Sequence, residues 1–289
     1  MASVDDPAAV AERTLGQSGL LAQLRPDQYV PGGWVLSVDG VAQSQVTPGR
    51  PELLTFEYIR RIGHLIDLFR PERQAVDSLH LGAGALTLPR YLAHTRPGSR
   101  SQVVEWERDL VELVREHLPW DKKWSIRLRY GDAREVIARL PQGLHGALDL
   151  IVVDVFSGNH TPSHLTTREF FSLLPPLLGP EGVVVVNLVD GRGSSFVKAE
   201  VATLFELFGF VGAFGEAGVV RGRRFGNILL VATDADREPA WWPELVRRGP
   251  HPTGSLSGAK LRRFVEGVPP QLDAHPLDAP TLTRAFIAD

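Results

Sequence analysis

Six apolar runs, alternating with stretches of helical spacing, restrict this chain to a narrow set of folds. They are Ala75-Val-Asp-Ser-Leu-His-Leu81, Ser101-Gln-Val-Val-Glu105, Ser125-Ile-Arg-Leu-Arg-Tyr130, Leu148-Asp-Leu-Ile-Val-Val-Asp154, Val183-Val-Val-Val-Asn-Leu188 and Asn227-Ile-Leu-Leu-Val-Ala-Thr233. Strands that alternate with helices pair in parallel, and the helices then cover both faces of the sheet. Between Glu52 and Phe69 apolar residues recur at spacings of three and four, which predicts an amphipathic helix leading into that sheet. Thr166 and Glu169 are spaced as a capping box for a further helix, and the stripe Val197, Val201, Leu204, Phe205 and Phe208 predicts another that stops near Gly209.

With 289 residues, 43% of them hydrophobic, the chain can bury one large core with small additions. Residues 1–16, small and charged, read as a flexible lead-in. An N-terminal β element is expected over 17–50, where Asp39-Gly40 between alternating runs marks a hairpin. The α/β domain spans 51–234, and the proline-rich segment 235–289 reads as an irregular tail of short helices and turns.

A formal net charge of -3 supplies no general attraction to nucleic acid or anionic membrane. The absence of cysteine excludes disulfides, thiolate metal sites and cysteine nucleophiles. Of nine histidines only His160 and His164 stand four apart, and they lie on a segment containing Pro162 that reads as loop rather than helix, so no metal is expected. The polar, acidic N-terminus is no secretory signal and no run is long enough to span a membrane, which makes the cytoplasm the default location.

The candidate chemistry gathers where strands end. Gly82-Ala83-Gly84 follows the first strand of the main domain, where glycines serve either close approach to a ligand or tight strand–helix packing. Glu105 closes the next strand about 20 residues on, where an acid can accept from ribose hydroxyls of a nucleoside or a dinucleotide. Asp132, followed by Ala133, ends the third strand and suits an adenine amino group, an N-cap for helix 134–140, or both. Asp154 ends the fourth; it is either the base that takes a proton from an attacking amine or a turn-forming residue.

In order and spacing, Gly82 to Gly84, Glu105, Gly131-Asp132-Ala133 and Asp154 resemble the nucleoside-binding positions of spermidine synthases and their spermidine-synthase-like relatives. Val38-Asp39-Gly40-Val41-Ala42-Gln43 resembles the L-D-G-x-x-Q hairpin of that family. Phe156-Ser157-Gly158, with Pro162, His164-Leu165 and Thr167-Arg168-Glu169, is similar to the spermidine-synthase-like branch. The resemblance covers about residues 34–234. It implies a Rossmann-like, doubly wound, mostly parallel sheet of the class I methyltransferase type. It also implies decarboxylated S-adenosylmethionine, or S-adenosylmethionine itself, as co-substrate, Gln43 near the sulfonium, a small-molecule amine acceptor, and homodimerisation.

The departures fall on the polyamine side. The family's acid after the glycine turn is Ala85 here, and the second acid of its D-x-x-D is Ser157. Its Tyr-Gln pair aligns with Thr55 and Phe56, with only Glu57 retained, so Glu57 and Ser157 are the candidate substrate contacts. Arg221, Arg223 and Arg224 form either a solvated loop or a basic surface for an acidic substrate. Either the acceptor differs from putrescine or other acids take the place of the missing ones, and three readings follow: aminopropyl transfer to an amine, methyl transfer from S-adenosylmethionine, and a non-catalytic nucleoside-binding scaffold.

Overall fold

The computed structural model describes residues 11–158 and 160–281. Four antiparallel strands open it: β1 (Ala11–Thr14), β2 (Leu21–Pro26), β3 (Trp34–Val38) and β4 (Val41–Val46), paired in chain order. The expected hairpin is the β3–β4 turn, with Asp39 and Gly40 both at positive φ.

The main domain follows as α1 (Glu57–Phe69), β5 (Asp77–Leu81), α2 (Thr87–Thr95), β6 (Arg100–Glu105), α3 (Arg108–His117), β7 (Ser125–Tyr130), α4 (Ala133–Ala138), β8 (Leu148–Val153), α5 (Arg168–Phe171), β9 (Leu178–Asp190), α6 (Ser195–Phe205), β10 (Phe210–Glu216), α7 (Ala217–Val220) and β11 (Gly226–Thr233). After it come α8 (Trp242–Arg248), β12 (Thr253–Ser257) and α9 (Gly258–Phe264). The sheet runs β12-β10-β11-β9-β8-β5-β6-β7. β5 to β9 pair in parallel, whereas β11 and β12 pair antiparallel with their neighbours.

β8 shows why both faces are covered. Ile151 and Val153 join the core built with Phe170, Val201 and Leu204 of α5 and α6, while Leu150 and Val152 join the opposite core with Ile62, Ile66 and Trp242 of α1 and α8. A third core clamps the N-terminal sheet, through Leu24, Leu36 and Val46, onto Leu110 and Val114 of α3 and onto Ala85 and Leu86 after β5. The N-terminal sheet therefore stands beside the carboxyl ends of the parallel strands.

Several expectations change. Of the lead-in, residues 1–10 lie outside the described residues, but Ala11–Thr14 is a strand. Arg13 pairs with Glu116 of α3 at 2.9 Å, and Gln17 and Ser18 donate backbone N–H groups to Glu107 at 3.1 and 2.7 Å. α1 starts at Glu57 rather than Glu52, because Phe56 is extended and its carbonyl accepts the first helical bond, from Arg60. The cap of α5 is Thr167, which accepts from Phe170 N–H, whereas Thr166 donates to Ser163 O and Glu169 accepts from Asp273 N–H. The tail is not wholly irregular: β12 pairs with β10, so the main sheet extends past residue 234.

A candidate active site at the carboxyl ends of the strands

A cavity of about 1360 Å³ opens where β5, β6, β7 and β8 end, walled on one side by the N-terminal sheet. Every candidate named from the sequence lines it: Gln43 on β4, Glu57 on α1, Gly82 and Gly84 after β5, Glu105, Asp132 and Ala133, Asp154 and Ser157. For the residues at or after the ends of β5 to β8 the topology explains this convergence, since parallel strands deliver their last residues to one edge, while Gln43 and Glu57 arrive from the N-terminal sheet and α1.

The glycine turn is shaped first by packing. Gly82 has φ +93, and a Cβ there would lie 2.1 Å from the carbonyl oxygen of Asp154, so this glycine lets β5 and β8 close on each other. Glu105 braces the same turn by accepting from the N–H of Ala83 at 2.8 Å and of Glu107 at 2.9 Å. Burial raises its carboxyl above the ordinary value, against the pull of those N–H groups. The N–H of Trp106 acts on the same carboxylate, and of its roughly four acceptor positions about one remains for a ligand hydroxyl.

Asp132 carries the cap role, accepting from Arg134 and Glu135 N–H through Oδ1 at 3.0 and 3.2 Å. Its Oδ2 meets His164 Nε2 at 2.7 Å. Burial pushes this carboxyl up, but the His164 bond and the capped N–H groups outweigh it and hold it below the ordinary value. His164 sits in the segment after β8, which is tied to the N-terminal sheet by Gln43 Nε2 donating to Gly158 O at 3.1 Å. Ser157 contributes its backbone N–H to His160 O within that segment.

Asp154 has the most elaborated surroundings. Asn187 of β9 donates Nδ2 to its Oδ1 at 2.7 Å, and Tyr58 of α1 donates its hydroxyl to Oδ2 at 3.3 Å. Asn227 of β11 donates to Asn187 Oδ1 at 3.0 Å, which fixes the Asn187 amide with its NH₂ toward Asp154. Burial pushes the Asp154 carboxyl up to about 6, with Asn187 and Tyr58 opposing the rise. Burial likewise drives the Tyr58 phenol well above its ordinary value, so it acts as a neutral donor.

Sequence reasoning missed Tyr58, Asn187, Asn227 and the His164 contact. Asn187 had a readable signal, as the polar residue in an otherwise apolar run, and it is 3% exposed. Tyr58, one residue beyond Glu57 on α1, reaches Asp154. Ala85 is fully buried and packs in the third core. Among the described residues no group of three or more His, Asp or Glu could hold a metal, and no helix is long and apolar enough to cross a membrane.

No protein-family model matches the chain. A solved structure described as a probable spermidine synthase from Corynebacterium glutamicum superposes with a TM-score of 0.82 at 29% identity, covering 94% of this chain and 99% of that one. The polyamine aminopropyltransferase of Vibrio vulnificus is 33% identical over 143 residues, 49% of this chain and 46% of that protein. The chain is thus similar to polyamine aminopropyltransferases, or spermidine synthases. The match to the Vibrio vulnificus family member spans about half that relative's length. Human methyltransferase-like protein 13, solved with SAH, shares the fold at a TM-score of 0.53 and 20% identity, covering 76% of this chain and 96% of that one.

Tyr58→Phe tests the coupling around Asp154. Without the phenol bond the Asp154 carboxylate loses a stabilising donor and its titration moves up. The acid limb of a rate profile is expected to shift to higher pH by up to about one unit, because a hydrogen bond to a charged group is worth about 1.5 kcal/mol. An unshifted limb would show that the 3.3 Å contact does not act on Asp154.

Proposed function

We propose that this protein transfers the aminopropyl group of decarboxylated S-adenosylmethionine to a small-molecule amine. The observation that carries the reading is the Asp154 carboxylate, oriented by Asn187 and Tyr58 and lining the same cavity as Glu105 and Asp132. Glu105 and the turn at Gly82 to Gly84 take the ribose. Asp132 takes the adenine amino group through the second acceptor position of Oδ2, the oxygen that also meets His164, and Gln43 and Ala133 complete the nucleoside contacts. The acceptor nitrogen attacks the methylene bound to the sulfonium; the carbon–sulfur bond breaks, its electron pair neutralises sulfur, and methylthioadenosine leaves. The proton shed by the new secondary ammonium passes to Asp154, whose elevated titration makes it a better base than an ordinary carboxylate. Positioning supplies the rest of the acceleration.

Incubation with decarboxylated S-adenosylmethionine and a panel of amines, resolved by chromatography, is expected to yield methylthioadenosine. Incubation with S-adenosylmethionine should give no S-adenosylhomocysteine, and the reverse pattern would replace this reading with methyl transfer. Asp132→Ala is expected to weaken nucleoside binding about tenfold or more by removing an acceptor for a buried amino group. Equal affinity in the two proteins would remove Asp132 from the adenine site.

A further inference from the structure

We infer that the acceptor is an amine bearing a carboxylate at the end remote from its nucleophilic nitrogen, held there by Arg224. The inference rests on the aminopropyl-transfer reading and narrows it. Sheet order puts Glu105 and Asp132 on one flank of Asp154, over β6 and β7, and leaves the flank over β9, β11 and β10 for the acceptor. Two glutamates stand on that flank. Glu57 is paired with Arg61, a 1% exposed guanidinium that also donates to Pro250 O at 2.7 Å and to Thr253 Oγ1 at 3.2 Å. Glu216 turns Oε2 onto the N–H groups of Gly218 and Val219 at 2.8 and 3.0 Å.

Arg224 lines the same cavity, and among the described residues no carboxylate pairs with its guanidinium. A Cβ on Gly218 would lie 3.0 Å from Arg224 Cδ and 2.9 Å from Glu216 Oε2, so the arginine stem runs alongside Glu216. Arg224 is thus a guanidinium on the acceptor flank without a carboxylate partner, and Glu216, bonded to neutral N–H groups, keeps its own charge beside it. A diamine's far ammonium would meet Arg224 with repulsion, whereas a carboxylate would form a charge-assisted, forked pair with it. Ala85 and Ser157, standing where the family's amine-binding acids would be, supply no counter-charge for that ammonium. In an α-amino acid acceptor the free Oε1 of Glu216 would also meet the α-ammonium beside the carboxylate.

The chemistry of transfer is unchanged: the remote primary amine forms the carbon–nitrogen bond, sulfur takes the electron pair, and Asp154 takes the proton. The test compares 1,4-diaminobutane, 4-aminobutyrate and ornithine as acceptors, following methylthioadenosine. At least one of the two carboxylates is expected to exceed the diamine in kcat/KM by about tenfold or more. Arg224→Gln should erase that preference through KM, with donor affinity unchanged. A wild-type preference for the diamine, or a preference untouched by Arg224→Gln, would overturn this inference while leaving aminopropyl transfer standing. Methylthioadenosine formed with none of the three, together with no binding of the donor, would overturn both.

Discussion

Asp154→Asn is expected to lower kcat by about 100- to 10,000-fold, the range that a lost general base costs, while nucleoside affinity stays within a few-fold. The amide keeps the shape of the side chain and can still accept from Asn187, so binding survives and proton acceptance does not. The wild-type rate should rise as pH increases through about 6 and then level, because the carboxylate is the active form and it is lost below that value. The residual rate of the variant should lack this limb. Unaltered turnover would remove Asp154 from the mechanism.

The same substitution carries a signature in stability. The folded-state titration of Asp154, about 6, lies above its ordinary 3.8, so between those values the native protein holds a proton that the unfolded chain releases. Stability therefore falls as pH rises from about 4 to 6, and above 6 the full cost of burying the charge, up to about 3 kcal/mol, is present. Asp154→Asn removes that cost. Its denaturant midpoint should exceed the wild type's at pH 7.5 and converge with it near pH 4. A less active but more stable variant would show that the fold is strained to keep a base in this position.

The second large effect is expected from Gly82→Ala. The added methyl would meet the Asp154 carbonyl oxygen at 2.1 Å, and neither side can yield easily: Gly82 N–H donates to Val104 O and Asp154 N–H to Leu81 O, both at 2.9 Å. Relief requires parting β5 from β8 at the point where the site is built. The positive φ of +93 adds about 1–2 kcal/mol, and with the overlap the destabilisation should reach about 3 kcal/mol or more. Gly193→Ala is the control. Gly193 has φ +88 with nothing within 4 Å of a built Cβ, so it should cost only the conformational part. Equal midpoints in denaturant for the two variants would mean that strand packing at Gly82 carries no special weight.

How much of this was legible in the sequence depended on where each element finds its partners. The parallel strands were readable because burial on both faces forces near-continuous apolar runs, as in Leu148 to Val153. β10 was not, since Gly212 and Gly215 interrupt its run. The space that a side chain would take at Gly212 is filled by the Trp242 ring, 2.4 Å from a built Cβ. β12 has one apolar residue, Leu256, and owes its strand state to pairing with β10. β1 likewise gains definition from Arg13 reaching α3, a contact invisible to local pattern.

The same division holds in the site. Glu105, Asp132 and Asp154 could be found because each terminates a strand, and the sheet gathers strand ends by itself. Tyr58, Asn187 and His164 act through partners 96, 33 and 32 residues away, so only the folded chain reveals what they hold. The capping box read from the sequence at Thr166 missed by one residue of register: Thr166 is used in the preceding turn at Ser163, and Thr167 caps the helix.

The central claim is that this cavity takes a decarboxylated sulfonium nucleoside as aminopropyl donor. Calorimetric titration of the protein with decarboxylated S-adenosylmethionine, S-adenosylmethionine and methylthioadenosine, each repeated with Asp132→Ala, tests it most directly. The account predicts that the decarboxylated form binds more tightly than S-adenosylmethionine, that methylthioadenosine binds measurably, and that all three weaken in the variant. Tighter binding of S-adenosylmethionine, or heat from none of the three, would contradict it.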